Sequence, residues 1–180
     1  MVKKRYAGIT SDGKLLITGL EAKRSDWSMV ARRTQKELLI MILKDGADEE
    51  AVKEYLHNLK ETYRNLPIAD FILEKIIDTS RVYTMQTNIL KAYETLYEVV
   101  HEGNTYKAKS PYEVDALIGI RWIYGRKGMP IGIPDEDSPD DYRGRIDYEY
   151  YWDNQIMPPI ERLFDAIKYN VNNYTQTTLF

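Results

Sequence analysis

Residues 3–18 read KKRYAGITSDGKLLIT, and the fold turns on this stretch. Lys3, Lys4 and Arg5 lead into Tyr6, Ala7, Gly8 and Ile9; Ser11-Asp12-Gly13 follows, and then a second apolar run, Leu15-Leu16-Ile17. Side chains of different character alternate on either side of a turn sequence whose glycine can adopt positive φ, so the pattern predicts a β-hairpin. An isolated two-stranded hairpin is marginal in water, and no other stretch of the sequence is an obvious partner. The hairpin is therefore expected to complete a sheet built elsewhere, with the chain beginning in the middle of a larger fold.

The rest of the sequence reads as a globular protein of one ordinary domain or two small ones. Its 180 residues are 43% hydrophobic and 29% charged, which excludes a disordered chain. The lack of cysteine excludes disulfides, thiolate metal sites and a cysteine nucleophile, and points to the cytoplasm. No apolar run approaches the roughly 20 residues of a membrane span, and the basic amino end lacks the apolar core of a signal peptide, so no membrane contact is expected. The net charge of −3 conceals a division: residues 1–44 hold ten Lys/Arg against four Asp/Glu, a surplus of +6, and the remainder holds 15 against 24, or −9. Positive charge concentrated at one end is what a phosphate-facing surface requires.

Beyond the hairpin, residues 26–44 carry Trp27, Val30, Ala31, Leu38, Met41 and Ile42 at helical spacing, with Arg32, Arg33 and Lys36 set away from most of them. Ser25 or Asp26 would cap this helix and Asp45-Gly46 would stop it. A second helix begins at Asp48, buries Val52, Tyr55, Leu56, Leu59 and Tyr63, and ends before Pro67. Residues 71–77 suit either a strand or a helical turn. A third helix is predicted over 84–102, with Ile89, Ala92, Tyr93, Leu96 and Val100 inward, and a fourth from Ser110-Pro111 to Gly125 or Gly128. A short strand at 131–133 and an acidic loop follow. The last helix, from Asp147 to about Tyr169, is expected to break at Pro158-Pro159.

Chemistry within the sequence is sparse. Asp135, Glu136, Asp137, Asp140 and Asp141 lie in a Pro- and Ser-interrupted loop that reads as solvated rather than as a metal site. The two histidines, His57 and His101, lie on separate predicted helices. There is no Gly-rich phosphate loop, no Gly-x-Ser-x-Gly elbow and no clustered nucleophile and base. The candidates that remain are cations.

Four stretches, KKRYAG at 3–8, GLEAKRSD at 19–26, GMPIGI at 128–133 and RIDYEYYWDNQIMPPIERLFDAIKY at 145–169, resemble the family B DNA polymerases in content and order. The resemblance implies an α+β fold. Residues 1–25 would be a palm segment whose hairpin completes a partner's sheet, 26–170 a mostly helical thumb with a short strand before its last helix, and 171–180 a tail. It also implies a division of labour, since the family's catalytic aspartates, nucleotide-binding helix and exonuclease region would lie upstream of Met1. The chain is thus similar to the small subunit of a split polymerase, inactive alone and enzymatic only with a large subunit that supplies the aspartates and their magnesium, itself binding no cofactor. Lys4 and Tyr6 would hold the primer's 3′ end. Lys3, Arg5, Lys23, Arg24, Arg32, Arg33 and Lys36 would be further contacts to primer-template DNA. The tail resembles the front half of a sliding-clamp motif, with Gln176, Leu179 and Phe180 as contacts but without the closing aromatic pair. The helix at 84–102, the segment EGNTYKAKS and the acidic loop depart from the family pattern. Read without the resemblance, the same residues also fit a stand-alone helical nucleic-acid-binding or scaffold module.

Overall fold

The computed structural model describes residues 6–24 and 26–167, the side chains of Lys23, Ala166 and Ile167 excepted. Contacts divide the chain into two units, residues 1–70 with 151–180 and residues 71–150. Among the described residues no helix is long and apolar enough to cross a membrane.

In the first unit, β1 (Tyr6–Ile9) pairs antiparallel with β2 (Leu15–Thr18), Tyr6 opposite Thr18 and Gly8 opposite Leu16. The turn forms where the sequence places it: Gly13 takes φ +82°, and its N–H donates to the Thr10 carbonyl at 2.9 Å. Alternation gives the hairpin two faces. Ile17 is buried on one, whereas Tyr6 and Leu16 are about half exposed on the other. A loop containing a single 3-10 turn, Glu21–Lys23, leads to α1 (Met29–Leu43). This helix starts later than expected. Its cap residue is Ser28 and not Ser25 or Asp26, because Asp26 is engaged by Arg24. Gly46, at φ +65°, lies just past its end as expected.

The second helix, α2 (Glu49–Thr62), is capped by Asp48, whose Oδ1 accepts the Ala51 N–H at 2.9 Å. Val52, Leu56 and Tyr63 are buried from the expected stripe. The terminal helix comprises α4 (Tyr148–Tyr151), a π-helical turn (Trp152–Ile156) and α5 (Met157–Ile167). The interruption expected at Pro158-Pro159 falls in the turn before them: the α-helix restarts at Met157, and both prolines lie within α5. Prolines cannot donate back into the preceding turn, and the irregularity falls in that turn, which widens to the π form. There the Met157 N–H reaches the Trp152 carbonyl. Ile156, Ile160 and Phe164 are buried in this unit together with Val30, Ala31 and Leu38.

The second unit departs most from the predicted helical thumb. Its one complete α-helix is α3 (Asn88–Glu94), of two turns, and it has five strands: β3 (Leu73–Asp78), β4 (Val99–Glu102), β5 (Thr105–Ala108), β6 (Leu117–Tyr124) and β7 (Pro130–Ile133). Strands β3, β6 and β7 form an antiparallel sheet in that order, and β4 pairs with β5. The predicted third helix ends early because Val99 and Val100, β-branched residues that suit a pleated surface, turn back on Lys107 and Ala108 around Gly103 at φ +58°. The predicted fourth helix is absent: Ile118, Ile120 and Trp122 are buried at alternate positions of β6, a period of two. Residues 71–77, left open between strand and helix, contribute β3. At Gly132 a Cβ would stand 2.7 Å from Leu96 and 2.8 Å from the Ala92 carbonyl, so β7 approaches α3 through a position that only glycine fits.

Candidate nucleic-acid interface

The loop between β2 and α1 carries the family-like motif, and beside Leu20 it buries two polar residues, Glu21 and Ser28. Glu21 is 0% exposed. One of its carboxylate oxygens accepts from Gln35 Nε2 at 2.9 Å, and the other is paired with the Arg162 guanidinium of α5. Gln35, on the buried face of α1, also donates to the Pro159 carbonyl at 3.1 Å and accepts the Ala22 N–H at 2.8 Å. Arg162 further stacks over the Trp27 ring, 5.4 Å from its centroid. Gln155 closes the loop's other end, its Oε1 accepting the Ser28 N–H at 3.0 Å. The hydrogen bonds among these contacts fill groups that burial would otherwise leave unsatisfied.

The expected DNA contacts fall into distinct environments. Tyr6 is the first described residue of β1, half exposed on the hairpin's open face. Lys3, Lys4 and Arg5 lie outside the described residues, as do Gln176, Leu179 and Phe180. Lys23 ends the 3-10 turn. Arg24 forks onto Asp26 at 3.1 and 2.5 Å while remaining partly exposed.

On α1, Arg33 forks onto Asp70 at 2.7 and 2.9 Å. The Asp70 side chain is only 6% exposed, so Arg33 neutralises a buried carboxylate. Those hydrogen bonds outweigh the desolvation that opposes them and raise the Arg33 pKa above its ordinary value. Arg32 is half-buried, and its Nε is enclosed without a hydrogen-bond partner among the described residues. Lys36 is exposed and makes no ion pair among the described residues. Next to it, Glu37 accepts from the Tyr55 hydroxyl of α2 at 2.5 Å, and burial, followed by this hydrogen bond, pushes the Tyr55 pKa up.

Sequence reasoning named the cations of this region and missed the residues that hold it. The signal was available: Gln35 falls on the same helical face as Ala31, Thr34 and Leu38, all buried, and a polar side chain within an apolar stripe requires a partner. Among the described residues, no three carboxylates or histidines converge to hold a metal ion.

Fold and charge together define an α+β chain that carries cations on a pinned loop and on the helix that follows it. The pattern of DNA polymerase family B matches residues 1–167, and the chain belongs to that family. It is 32% identical over 183 aligned residues to a DNA polymerase of Pyrococcus glycovorans, covering 94% of this chain and 21% of the relative. A DNA polymerase of Pyrococcus horikoshii is 33% identical over 94% of this chain and 13% of its own length. The family B DNA polymerase structure from Pyrobaculum calidifontis shares the fold, with TM-score 0.59 and 22% identity, over 87% of this chain and 19% of that one. The chain thus spans about a fifth or less of the length of these relatives.

Proposed function

We propose that this chain positions and grips primer-template DNA for template-directed nucleotidyl transfer, working with a large polymerase subunit that carries the catalytic aspartates. The observation that carries the reading is the family match over residues 1–167, which spans the hairpin, the pinned loop and the terminal helix together. The two-stranded sheet β1–β2 supports it, since among the described residues each strand has one edge without a strand partner, as a ribbon that completes a larger sheet requires.

In this reading Lys4 donates to a primer phosphate or a minor-groove acceptor, and Tyr6 packs beside the terminal nucleotide. Holding the attacking 3′ oxygen is a catalytic contribution, because a misplacement of about 1 Å can cost roughly 10²-fold in rate. Lys23, Arg24, Arg32, Arg33 and Lys36 are proposed contacts to the duplex backbone, of which Lys36 is the most available and Arg33 the most committed elsewhere. Magnesium would be held by the large subunit, stabilising the attacking and leaving oxygens. The tail residues Gln176, Leu179 and Phe180 are proposed to dock on a sliding clamp, checked by clamp binding with and without residues 171–180.

The test is reconstitution. Primer extension is measured with this chain, with a large subunit and with both together, then repeated with Lys4→Ala and Tyr6→Ala. Extension only by the pair, weakened in both variants, supports the reading; full extension by the large subunit alone refutes it.

A further inference from the structure

We propose that Gln35 and Arg162 are positioning residues, which hold the backbone on either side of Lys23 and Arg24 and so fix where these two cations leave the loop. This inference rests on the DNA-gripping reading above and adds to it the device that aims two of the cations.

A connection between a strand and a helix ordinarily runs over the surface with its backbone solvated. This one is fastened at four places, two before Lys23 and Arg24 and two after them. Glu21 is held by Gln35 and Arg162, the Ala22 N–H by Gln35, the Trp27 ring by Arg162, and the Ser28 N–H by Gln155. Both Gln35 donor bonds and its one acceptor bond go to different places: Glu21, the Pro159 carbonyl and Ala22. Lys23 and Arg24 fall between the fastened points, and Arg24 is further steadied by its fork onto Asp26.

Such fastening is a poor way to gain stability. Desolvating Glu21 and part of Arg162 costs free energy that their attraction does not reliably return, and apolar residues of similar volume often do as well. What a buried polar network of this kind provides is a single arrangement. A cation held in one place before binding loses less conformational freedom when it meets a phosphate. The network therefore fits a need for placement better than a need for cohesion.

The experiment uses the full chain and a fluorescently labelled primer-template duplex, with affinity measured across a salt series beside thermal unfolding and amide hydrogen exchange. The first variant is the charge-free double replacement Glu21→Leu with Arg162→Met, which leaves no unpaired buried charge. The second is Gln35→Met, and Lys23→Ala serves as the reference for a lost phosphate contact. Both network variants are expected to unfold cooperatively near the wild-type temperature. They should bind roughly tenfold more weakly, with a salt dependence shallower by about one to two, the value expected for one or two lost phosphate contacts. Gln35→Met should also lose exchange protection at the Ala22 amide. Arg162→Lys, which keeps a cation beside Glu21, should recover most of the salt dependence, an outcome that mere loss of packing would not produce. Should Gln35→Met fail to fold, the double variant decides.

Wild-type affinity and salt dependence in the double variant, with the wild type itself binding, would overturn the positioning role and leave the gripping reading intact. A wild-type chain that binds no duplex would end both.

Discussion

Among the described residues, the buried polar side chains Glu21, Ser28, Thr34, Gln35, Asp70 and Gln155 all belong to the first unit, and only Thr79 belongs to the second. The second unit is organised differently. Phe71, Leu73, Ile77, Leu90, Ile120, Trp122 and Ile133 make an apolar interior, and the Tyr93 hydroxyl reaches the Lys109 carbonyl at 2.5 Å, a backbone partner already in place. Both units bury an apolar core, and the first adds to it a set of buried polar side chains. An apolar core tolerates exchange among residues of similar volume, whereas a polar one fixes which atoms meet. The unit with the pinned loop carries the buried polar side chains beside its apolar core, and the unit built on strand pairing almost does without them.

The largest effect should come from breaking the polar side of this contrast. Arg162→Ala leaves Glu21 buried with only Gln35, and loss of one partner of a buried pair costs about 3–5 kcal/mol; part of Arg162 is solvent-exposed, so the lower end is expected. Urea unfolding should show the loss, and hydrogen exchange should place it in α1 and the loop before it. A loss confined to β6 would break the comparison.

Arg33→Ala should cost about 2 kcal/mol, within the range for hydrogen bonds to charged groups, because Asp70 stays buried. In the second unit the corresponding sensitivity is steric. Gly132→Ala forces a methyl group against Leu96 and the Ala92 carbonyl, and overpacking of this kind costs about 1–3 kcal/mol. Its exchange signature should appear in α3 and β7.

Alkaline pH sharpens the difference further. Burial, with smaller contributions from Tyr97 and Tyr112, raises the Tyr93 pKa from 10.0 to about 12. A raised folded-state pKa means that the neutral phenol is favoured in the fold, so its contribution is complete below pH 10 and is lost as pH rises through about 12. Tyrosinate absorbance and circular dichroism recorded together should show the second unit loosening in that window, and Tyr93→Phe should remove this component of the pH dependence. The smallest effect on stability is expected for Lys36→Ala, within about 0.5 kcal/mol as for ordinary surface changes, while affinity for primer-template DNA falls and its salt slope lessens by about one. A stability loss as large as that of Arg33→Ala would show that the two cations are not used differently.

How much of this was legible differs by element. The hairpin was readable because Ser11-Asp12-Gly13 marks its turn, and α2 because Asp48 opens a helix with Glu49 and Glu50 in its first turn. The segment LIGIRWIY at 117–124 was misread because Ser110-Pro111 resembles a helix start, yet its β-branched and aromatic residues at alternate buried positions belong to a strand. The stretch at 99–108 was likewise a hairpin around Gly103-Asn104, a turn dipeptide that a helical spacing of apolar residues concealed. In the candidate interface, charge was visible by inspection. The commitment of Arg33 to Asp70, 37 positions along the chain, was not.

The sequence by itself determined the family, the concentration of cations near the amino end and the elements whose boundaries are marked by local chemistry, because turns, caps and charge depend on neighbouring residues. Only the tertiary structure decided that Glu21, Gln35, Gln155 and Arg162 form one network, that Arg33 serves a buried carboxylate while Lys36 remains open, and that the middle of the chain pairs as strands. Those outcomes depend on which distant groups meet away from water, where an unpaired charge is costly and an apolar run takes whichever backbone geometry lets it pack.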